Sequence, residues 1–116
     1  MQDVHSLLLF QKGDDLYLDK CLADTIGLPA MLENTAEEAT ELSHACLKLA
    51  RKLRGENPTP ADKNDILDNL CEELADIEVM TDELYKSSDL GITRADILTT
   101  KYRKRARFNK RVKEKT

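Results

Sequence analysis

Apolar residues recur along two stretches of the chain at spacings of three and four, the spacing that one face of an α-helix produces. No stretch of comparable length alternates apolar and polar residues as a half-buried strand does. The pattern predicts an all-α fold, a helical bundle built around two long helices. The apolar positions are Ala39, Leu42, Cys46, Leu49, Ala50 and Leu53 in the first helix, and Ile66, Leu67, Leu70, Leu74, Ile77 and Leu84 in the second.

The segment between the two stretches is rich in loop-forming residues. Gly55 follows a basic helix end, which favours termination there. Thr59, Pro60 and Asp62 then supply a cap residue, a first-turn proline and an early acid, which predict the start of the second helix. A connection this short favours antiparallel packing, so we expect a long helix hairpin with shorter helices packed around it.

Shorter helices are predicted on both sides of the hairpin. The first runs from about Asp19 to Gly27, and Pro29 suits the first turn of the long helix that follows. Thr93 and Asp96 have the spacing of a capping box, which predicts a last helix that continues into the C-terminal tail.

Length and composition indicate a single domain over residues 1–116. The chain is 41% hydrophobic and 34% charged, and no apolar run approaches the roughly 20 residues of a membrane span. We therefore expect a cytoplasmic protein. Cys21, Cys46 and Cys71 form no C-x-x-C pair, which argues against a disulfide framework or a zinc cluster. Cys46 lies on the apolar stripe, and we interpret it as a small buried thiol.

The net charge of −4 conceals an uneven distribution. Residues 101–116 hold nine Lys/Arg and one Glu, a net charge of +8, while the other 100 residues hold nine Lys/Arg and 21 Asp/Glu, a net charge of −12. The basic C-terminal helix and tail, about residues 94–116, therefore suggest either nucleic-acid binding or contact with an anion held at a metal-loaded site.

Two similar acidic motifs occur at residues 37–41 and 72–76, each with an adjacent pair of glutamates and a third acid three residues later. Glutamate is common on exposed helix faces, and we interpret Glu37 and Glu72 in that way. Thr35 also has the spacing of a capping box with the acid that follows it three residues later. The acidic motifs thus have three alternative roles: a solvated helix face, a helix cap or a binding site.

Helix geometry favours a site. A helix turns by about 100° and rises by about 1.5 Å per residue. With these values, Glu38 and Glu41 lie on the same rotational side of their apolar stripe as Glu73 and Asp76 do of theirs. All four acids lie about 16–24 Å from the connecting loop. Antiparallel packing would bring these carboxylates together, and their mutual repulsion would raise their pKa values. A hard cation, Mg²⁺ or Mn²⁺, would relieve this repulsion. The predicted metal-binding and catalytic residues are Glu38, Glu41, Glu73 and Asp76.

Three polar neighbours are candidate substrate-binding residues. Asn69 lies one helical turn before Glu73, and His44 and Lys48 follow Glu41 by three and seven residues. The alternatives are an exposed polar side chain for His44 and a salt-bridge partner for Lys48.

The two acidic pairs on antiparallel helices resemble the MazG-like group of all-α nucleoside triphosphate pyrophosphohydrolases, over roughly residues 30–111. The basic series on the last helix is also similar. The residues that carry the resemblance are Glu38, Glu41, Asn69, Glu73, Asp76 and Ile77, with Lys104, Arg107 and Arg111 downstream.

The resemblance implies hydrolysis of a nucleoside triphosphate to a nucleoside monophosphate and pyrophosphate. Mg²⁺ held by the four carboxylates would bind the triphosphate, and Lys104, Arg107 and Arg111 would contact it. A homodimer or homotetramer is expected, because a small helical domain buries limited surface.

Two other functions compete with this interpretation. A di-iron carboxylate bundle needs two Glu-x-x-His motifs; Glu41 and His44 form one, but Asp76 occupies the position of the second histidine. A non-enzymatic domain that binds nucleic acid or protein would use the basic tail, where Tyr102 and Phe108 could stack on bases. The acidic body argues against a broad nucleic-acid footprint.

Overall fold

A computed structural model describes residues 20–55 and 60–116. These residues form helices and no strand, which confirms the all-α fold class. None of the described helices combines the length and the apolar character that crossing a membrane requires. The elements are α1 (Leu22–Ile26), α2 (Leu28–Arg54), α3 (Lys63–Lys86) and α4 (Arg94–Lys115).

The long helices α2 and α3 form the predicted antiparallel hairpin, and their interface is the most extensive in the described part of the chain. The short helix α1 packs against both of them at the end distant from the connecting loop. Ala23, Met31 and Leu84 form the centre of the core there, one residue from each of the three helices.

The ends of α2 agree with the sequence prediction. Pro29 lies in the first turn of the helix. Gly55 ends the helix in the left-handed region, at φ 68°, and donates its backbone N–H to the carbonyl oxygen of Arg51 at 3.0 Å. A residue with a side chain is strained in that conformation, which explains why glycine suits this position.

One predicted helix start was wrong, and the alternative of a helix cap at Thr35 is excluded. α3 begins at Lys63 with Asp62 as its cap, whose carboxylate accepts from the N–H of Asn64 at 3.4 Å; Thr59 lies outside the described residues. Thr35 caps nothing, because it lies inside α2 and donates its hydroxyl to the carbonyl oxygen of Met31 at 2.8 Å. An in-helix threonine can satisfy its hydroxyl in this way, so spacing alone did not distinguish the two roles.

The capping box at the start of α4 is confirmed. The hydroxyl of Thr93 accepts from the N–H of Asp96 at 3.1 Å, and the Asp96 carboxylate accepts from the N–H of Thr93 at 2.9 Å. The hydrogen bond from the Thr93 N–H, and after it the Thr93 hydroxyl beside the same carboxylate, hold the pKa of Asp96 below its ordinary value.

The expectation that the shorter helices pack around the hairpin holds for α1 and is wrong for α4. Helix α4 forms no extensive interface with the other three helices, and every residue from 101 to 116 is exposed. At its start the guanidinium of Arg94 lies 5.5 Å from the centre of the Tyr85 ring. The large apolar residues of α4 lie exposed among the many cations of this segment, and they are Leu98, Tyr102, Phe108 and Val112.

The prediction of which apolar residues face the hairpin interior was wrong in part. Ile66 and Leu84 on α3 are buried as expected, but the buried residues of α2 are Met31 and Ala45. Helix α2 is apolar over an arc wider than one interface, and the tertiary structure turns a different part of that arc towards α3. The residues predicted as core but found exposed are Ala39, Cys46, Leu53, Leu67 and Leu74.

Candidate metal centre

Three carboxylates from the two hairpin helices converge on one point. Single oxygen atoms of Glu38, Glu73 and Asp76 all lie within 4.8 Å of one another. Glu38 and Glu73 are half-buried between the helices, and Asp76 is exposed at the edge. This arrangement agrees with the sequence prediction for three of its four acids.

Glu41 lies beside this group. It is exposed on α2, outside the three that share the 4.8 Å limit, and its carboxylate is within hydrogen-bonding range of Glu73. Glu38 is paired in the same way with Asp76. We call these four residues the acidic cluster, which consists of two carboxylate pairs across the hairpin.

The antiparallel register determines which carboxylates pair. Measured along the helices at about 1.5 Å per residue, Glu38 lies about 24 Å and Asp76 about 20 Å from the loop-side helix ends. Glu41 and Glu73 lie nearer to the loop, at about 20 and 15 Å. In each pair the two acids differ in height by only about 4–5 Å, with Glu38 and Asp76 farther from the loop and Glu41 and Glu73 nearer to it. The spacing of three residues in each helix brings both pairs to one edge.

Burial and repulsion act together on Glu38. Partial burial between the helices is the main cause that raises the pKa of its carboxyl, followed by the charges of Asp76 and Glu41. One of its oxygen atoms is buried and accepts no hydrogen bond from the described residues.

Glu73 experiences the same combination of effects. Partial burial raises the pKa of its carboxyl most, and the charges of Glu41 and Asp76 raise it further. One of its oxygen atoms is likewise buried without a donor among the described residues. All the charges that shift the pKa of these two carboxyls come from other carboxylates, so a proton or a cation is needed to relieve the repulsion.

The polar neighbours predicted for substrate binding are all exposed on the hairpin. Asn69 is one turn from Glu73 on α3, and Lys48 is two turns from Glu41 on α2, both towards the loop. His44 is exposed and belongs to no group of metal-ligand side chains in the described part of the chain. This arrangement does not favour a Glu-x-x-His iron site. The roles of these three residues in substrate binding remain predictions.

The basic residues predicted on the last helix are exposed on α4. Because α4 forms no extensive interface with α2 or α3, helix packing does not bring Lys104, Arg107 and Arg111 to the acidic cluster. Their contact with a substrate remains a prediction.

The sequence prediction missed a surface depression along α4. It has a volume of about 460 Å³ and is lined by residues of this single helix, among them Ile97, Lys104 and Phe108. It contains no carboxylate and lies apart from the acidic cluster in the fold, so the metal hypothesis depends on the cluster alone. The spacing of Ile97 and Phe108, three helical turns apart, was the signal that could have revealed it.

Comparison of the chain with models of protein families, with curated proteins and with solved structures found no match.

Proposed function

We propose that the protein is a Mg²⁺-dependent nucleoside triphosphate pyrophosphohydrolase. The observation that carries the proposal is the convergence of Glu38, Glu73 and Asp76 within 4.8 Å, with Glu41 beside them. Four carboxylates that repel one another lower the stability of the fold at this point, and such locally unfavourable arrangements are typical of functional sites.

The donor set fits a hard cation. All four candidate ligands are carboxylates, and exposed Asp76 and Glu41 leave one side open to solvent and substrate. Oxygen-only ligands with room for water favour Mg²⁺, with Mn²⁺ as its closest substitute. When bound, Mg²⁺ would offset the charge of the phosphates and lower the pKa of a water molecule.

The chain's own residues would assist attack by water on the α-phosphorus. The bond from the water oxygen to phosphorus forms, and the bond to the oxygen that bridges to the β-phosphate breaks, so that pyrophosphate leaves with the electron pair. One carboxylate of the cluster accepts the proton of the water. Glu38 and Glu73 suit this role because a carboxyl with a raised pKa is a better base near neutral pH.

Other side chains would bind the charged substrate. Asn69 and Lys48 are exposed on the hairpin, and the cations of α4, with Lys104, Arg107 and Arg111 among them, are exposed to solvent. They would stabilise the phosphate charge that grows in the transition state. In this proposal the protein acts in the cytoplasm and clears or adjusts a pool of nucleotides.

A pyrophosphate-release assay tests the proposal directly. The four common ribonucleoside triphosphates and the four deoxyribonucleoside triphosphates are supplied in turn, with and without Mg²⁺. We expect Mg²⁺-dependent release of equal amounts of monophosphate and pyrophosphate. Glu38→Gln and Glu73→Gln should each lower kcat by at least about 100-fold, in the range found when a catalytic acid–base group is removed.

Matched controls separate the site from the general charge of the helices. Glu37→Gln and Glu72→Gln remove the same charge one residue earlier on each helix, where the side chains are exposed. These variants should retain activity. Full activity after both Glu38→Gln and Glu73→Gln would disprove the proposed site.

Nucleic-acid binding by α4 is the second candidate function. Residues 101–116 carry a net charge of +8 and are exposed throughout, and Tyr102 and Phe108 are 81% and 59% exposed. Cations with accessible aromatic rings suit single-stranded nucleic acid. Binding to single-stranded DNA or RNA that weakens steeply with salt, without any nucleotide hydrolysis, would favour this function over the first.

A further inference from the structure

Helix α4 has a surface depression that the acidic cluster does not use. Its volume is about 460 Å³. The side chains that line it include two large apolar residues and three cations: Ile97, Phe108, Lys101, Lys104 and Arg105. Long Lys and Arg side chains can lay their methylene groups along apolar atoms while their charged ends stay in water. The depression therefore combines an apolar surface with positive charge, which suits an anionic amphiphile.

The aliphatic side chains of α4 lie on one side of the helix. At about 100° per residue, four large apolar residues fall within an arc of about 100°. We call them the α4 stripe, and they are Ile97, Leu98, Phe108 and Val112. The last three are 49%, 59% and 62% exposed. Since α4 forms no extensive interface with the other described helices, none of these helices covers the stripe.

The cations of α4 repel one another. Residues 101–116 carry a net charge of +8. Cations recur at a spacing of four residues, as in Arg103, Arg107 and Arg111, and like charges at this spacing destabilise a helix. Within the described part of α4, one ion pair offsets the repulsion, from Lys110 to Glu114 at 4.0 Å. An anionic surface along the helix would relieve the repulsion over its whole length.

The α4 stripe favours a lipid bilayer over the other polyanions. Single-stranded nucleic acid binds through cations and through stacking on aromatic rings, so it offers no partner to aliphatic Leu98 and Val112. A bilayer of anionic lipid offers phosphate groups with acyl chains directly beneath them. Helices that bind at this boundary combine Lys and Arg with exposed aliphatic and aromatic side chains, as α4 does.

We propose that α4 binds the surface of an anionic lipid bilayer and lies in the plane of that surface, with the α4 stripe towards the acyl chains. From Ile97 to Val112 the stripe is about 23 Å long. Lys101 and Arg105 fall within the same arc, and their long side chains can reach the phosphate groups while their methylene groups contact lipid.

The charge of the rest of the chain has a consequence for this arrangement. The first 100 residues carry a net charge of −12, so the same lipid surface repels them. The chain should therefore attach by α4, with the acidic cluster towards water. This binding needs neither nucleotide nor Mg²⁺, so it goes beyond the proposed hydrolase function and is tested without it.

Co-sedimentation of the full chain with lipid vesicles tests the proposal. We expect binding to vesicles of equimolar phosphatidylcholine and phosphatidylglycerol, and no binding to phosphatidylcholine alone. Binding should weaken as salt rises, because salt screens the attraction. Arg105→Gln should lower the partition coefficient by about fivefold, the contribution of one cation near an anionic membrane.

Two variants test the apolar contribution without changing the charge. Phe108→Ser should lower the partition coefficient by about tenfold and Val112→Ser by about fivefold, because each loses apolar surface that the bilayer would bury. Phe, Val and Ser have similar helix propensities, and both positions are exposed, so circular dichroism should show the helical content unchanged. The matched control is Val79→Ser, at a position 50% exposed on α3, which should bind as the native chain does.

A fluorescence measurement separates insertion of the stripe from adsorption by charge. The chain contains no tryptophan, so a single introduced ring is the only source of indole emission. The emission of Phe108→Trp should shift to shorter wavelength when anionic vesicles are added, because the ring enters an apolar layer. The emission of Leu47→Trp, at a position 53% exposed on α2, should not shift.

Three results would overturn the proposal. The first is a full chain that does not bind anionic vesicles at low salt; binding of single-stranded DNA under the same conditions would then assign α4 to nucleic acid. The second is native affinity for vesicles in both Phe108→Ser and Val112→Ser, which would show that charge alone causes the binding. The third is an equal shift in Leu47→Trp and Phe108→Trp, which would place lipid on the hairpin as well. Each result leaves the proposed hydrolase activity to its own assay.

Discussion

Replacement of Glu73 by glutamine tests whether the acidic cluster is a cation site. The substitution keeps the size of the side chain and removes one of four charges, at a position whose carboxyl is half-buried against Glu41 and Asp76. If a cation belongs there, the variant should bind it more weakly and with a different dependence on pH.

The size of the pH effect follows from the protons that the cation must displace. The pKa values of the Glu38 and Glu73 carboxyls are raised above the ordinary 4.5. From pH 4.5 up to these raised pKa values, both carboxyls therefore still carry protons, and a bound cation must displace them. The affinity for Mn²⁺ should therefore rise by up to about two log units per pH unit in this window and then level off. In Glu73→Gln the slope should fall to about one.

The stability of the metal-free protein should change in the opposite sense. A carboxyl whose pKa is raised in the folded state contributes stability that is fully present below the unfolded pKa and is lost as pH rises through the folded pKa. The native chain should thus lose stability as pH rises from about 4.5 towards neutrality. Glu73→Gln should be more stable than the native chain at pH 7 without metal, and less stable with saturating Mn²⁺.

Calorimetric titration with Mn²⁺ from pH 4.5 to pH 8 gives the slope, and thermal unfolding followed by circular dichroism gives the stability. Glu72→Gln is the control, since it removes an exposed charge from the adjacent position of the same helix. The reasoning is refuted if Glu73→Gln retains the native slope, or if Glu72→Gln changes the slope and the stability as much.

Three further substitutions test the fold. Met31→Ala removes a fully buried side chain from the contact between α1, α2 and α3 and should lower the free energy of unfolding by about 2–5 kcal/mol in urea denaturation; an effect below about 1 kcal/mol would contradict the described core. Thr93→Ala should destabilise α4 by about 1 kcal/mol. Because α4 is not packed on the hairpin, the substitution should speed amide exchange only in the first turns of α4. An equal loss of amide protection in α2 and α3 would show that α4 is coupled to the hairpin and would contradict the structure. Gly55→Ala should cost about 1 kcal/mol through its positive φ alone, since the added Cβ would meet no atom within 4 Å; an unchanged urea midpoint would disprove the left-handed helix end.

Local chemistry determined much of what the sequence predicted. Gly55 and the pair Thr93 and Asp96 act through bonds to residues three or four positions away, so their effect is visible without the rest of the fold. Local spacing did not reveal the role of Thr35, because a threonine hydroxyl can form a hydrogen bond inside a helix as well as at its end.

The acidic cluster was also accessible from the sequence, for a geometric reason. Glu38 and Glu41 repeat the spacing of Glu73 and Asp76, and a hairpin with a short loop fixes the relative height of the two pairs. Spacing, height, antiparallel direction and the rotational side of each apolar stripe were enough to bring the four carboxylates together, although the predicted stripe of α2 was only partly the buried one.

Only the tertiary structure decided the rotation of the helices about their own axes. Helix α2 offers two neighbouring apolar stripes, one through Met31 and Ala45 and one through Ala39, Cys46 and Leu53, and either is hydrophobic enough to face α3. The hairpin buries the first stripe, which also draws Glu38 into the interface and leaves the second stripe exposed. Periodicity reveals that a helix has an apolar side, but packing against a particular neighbour decides which part of that side is buried.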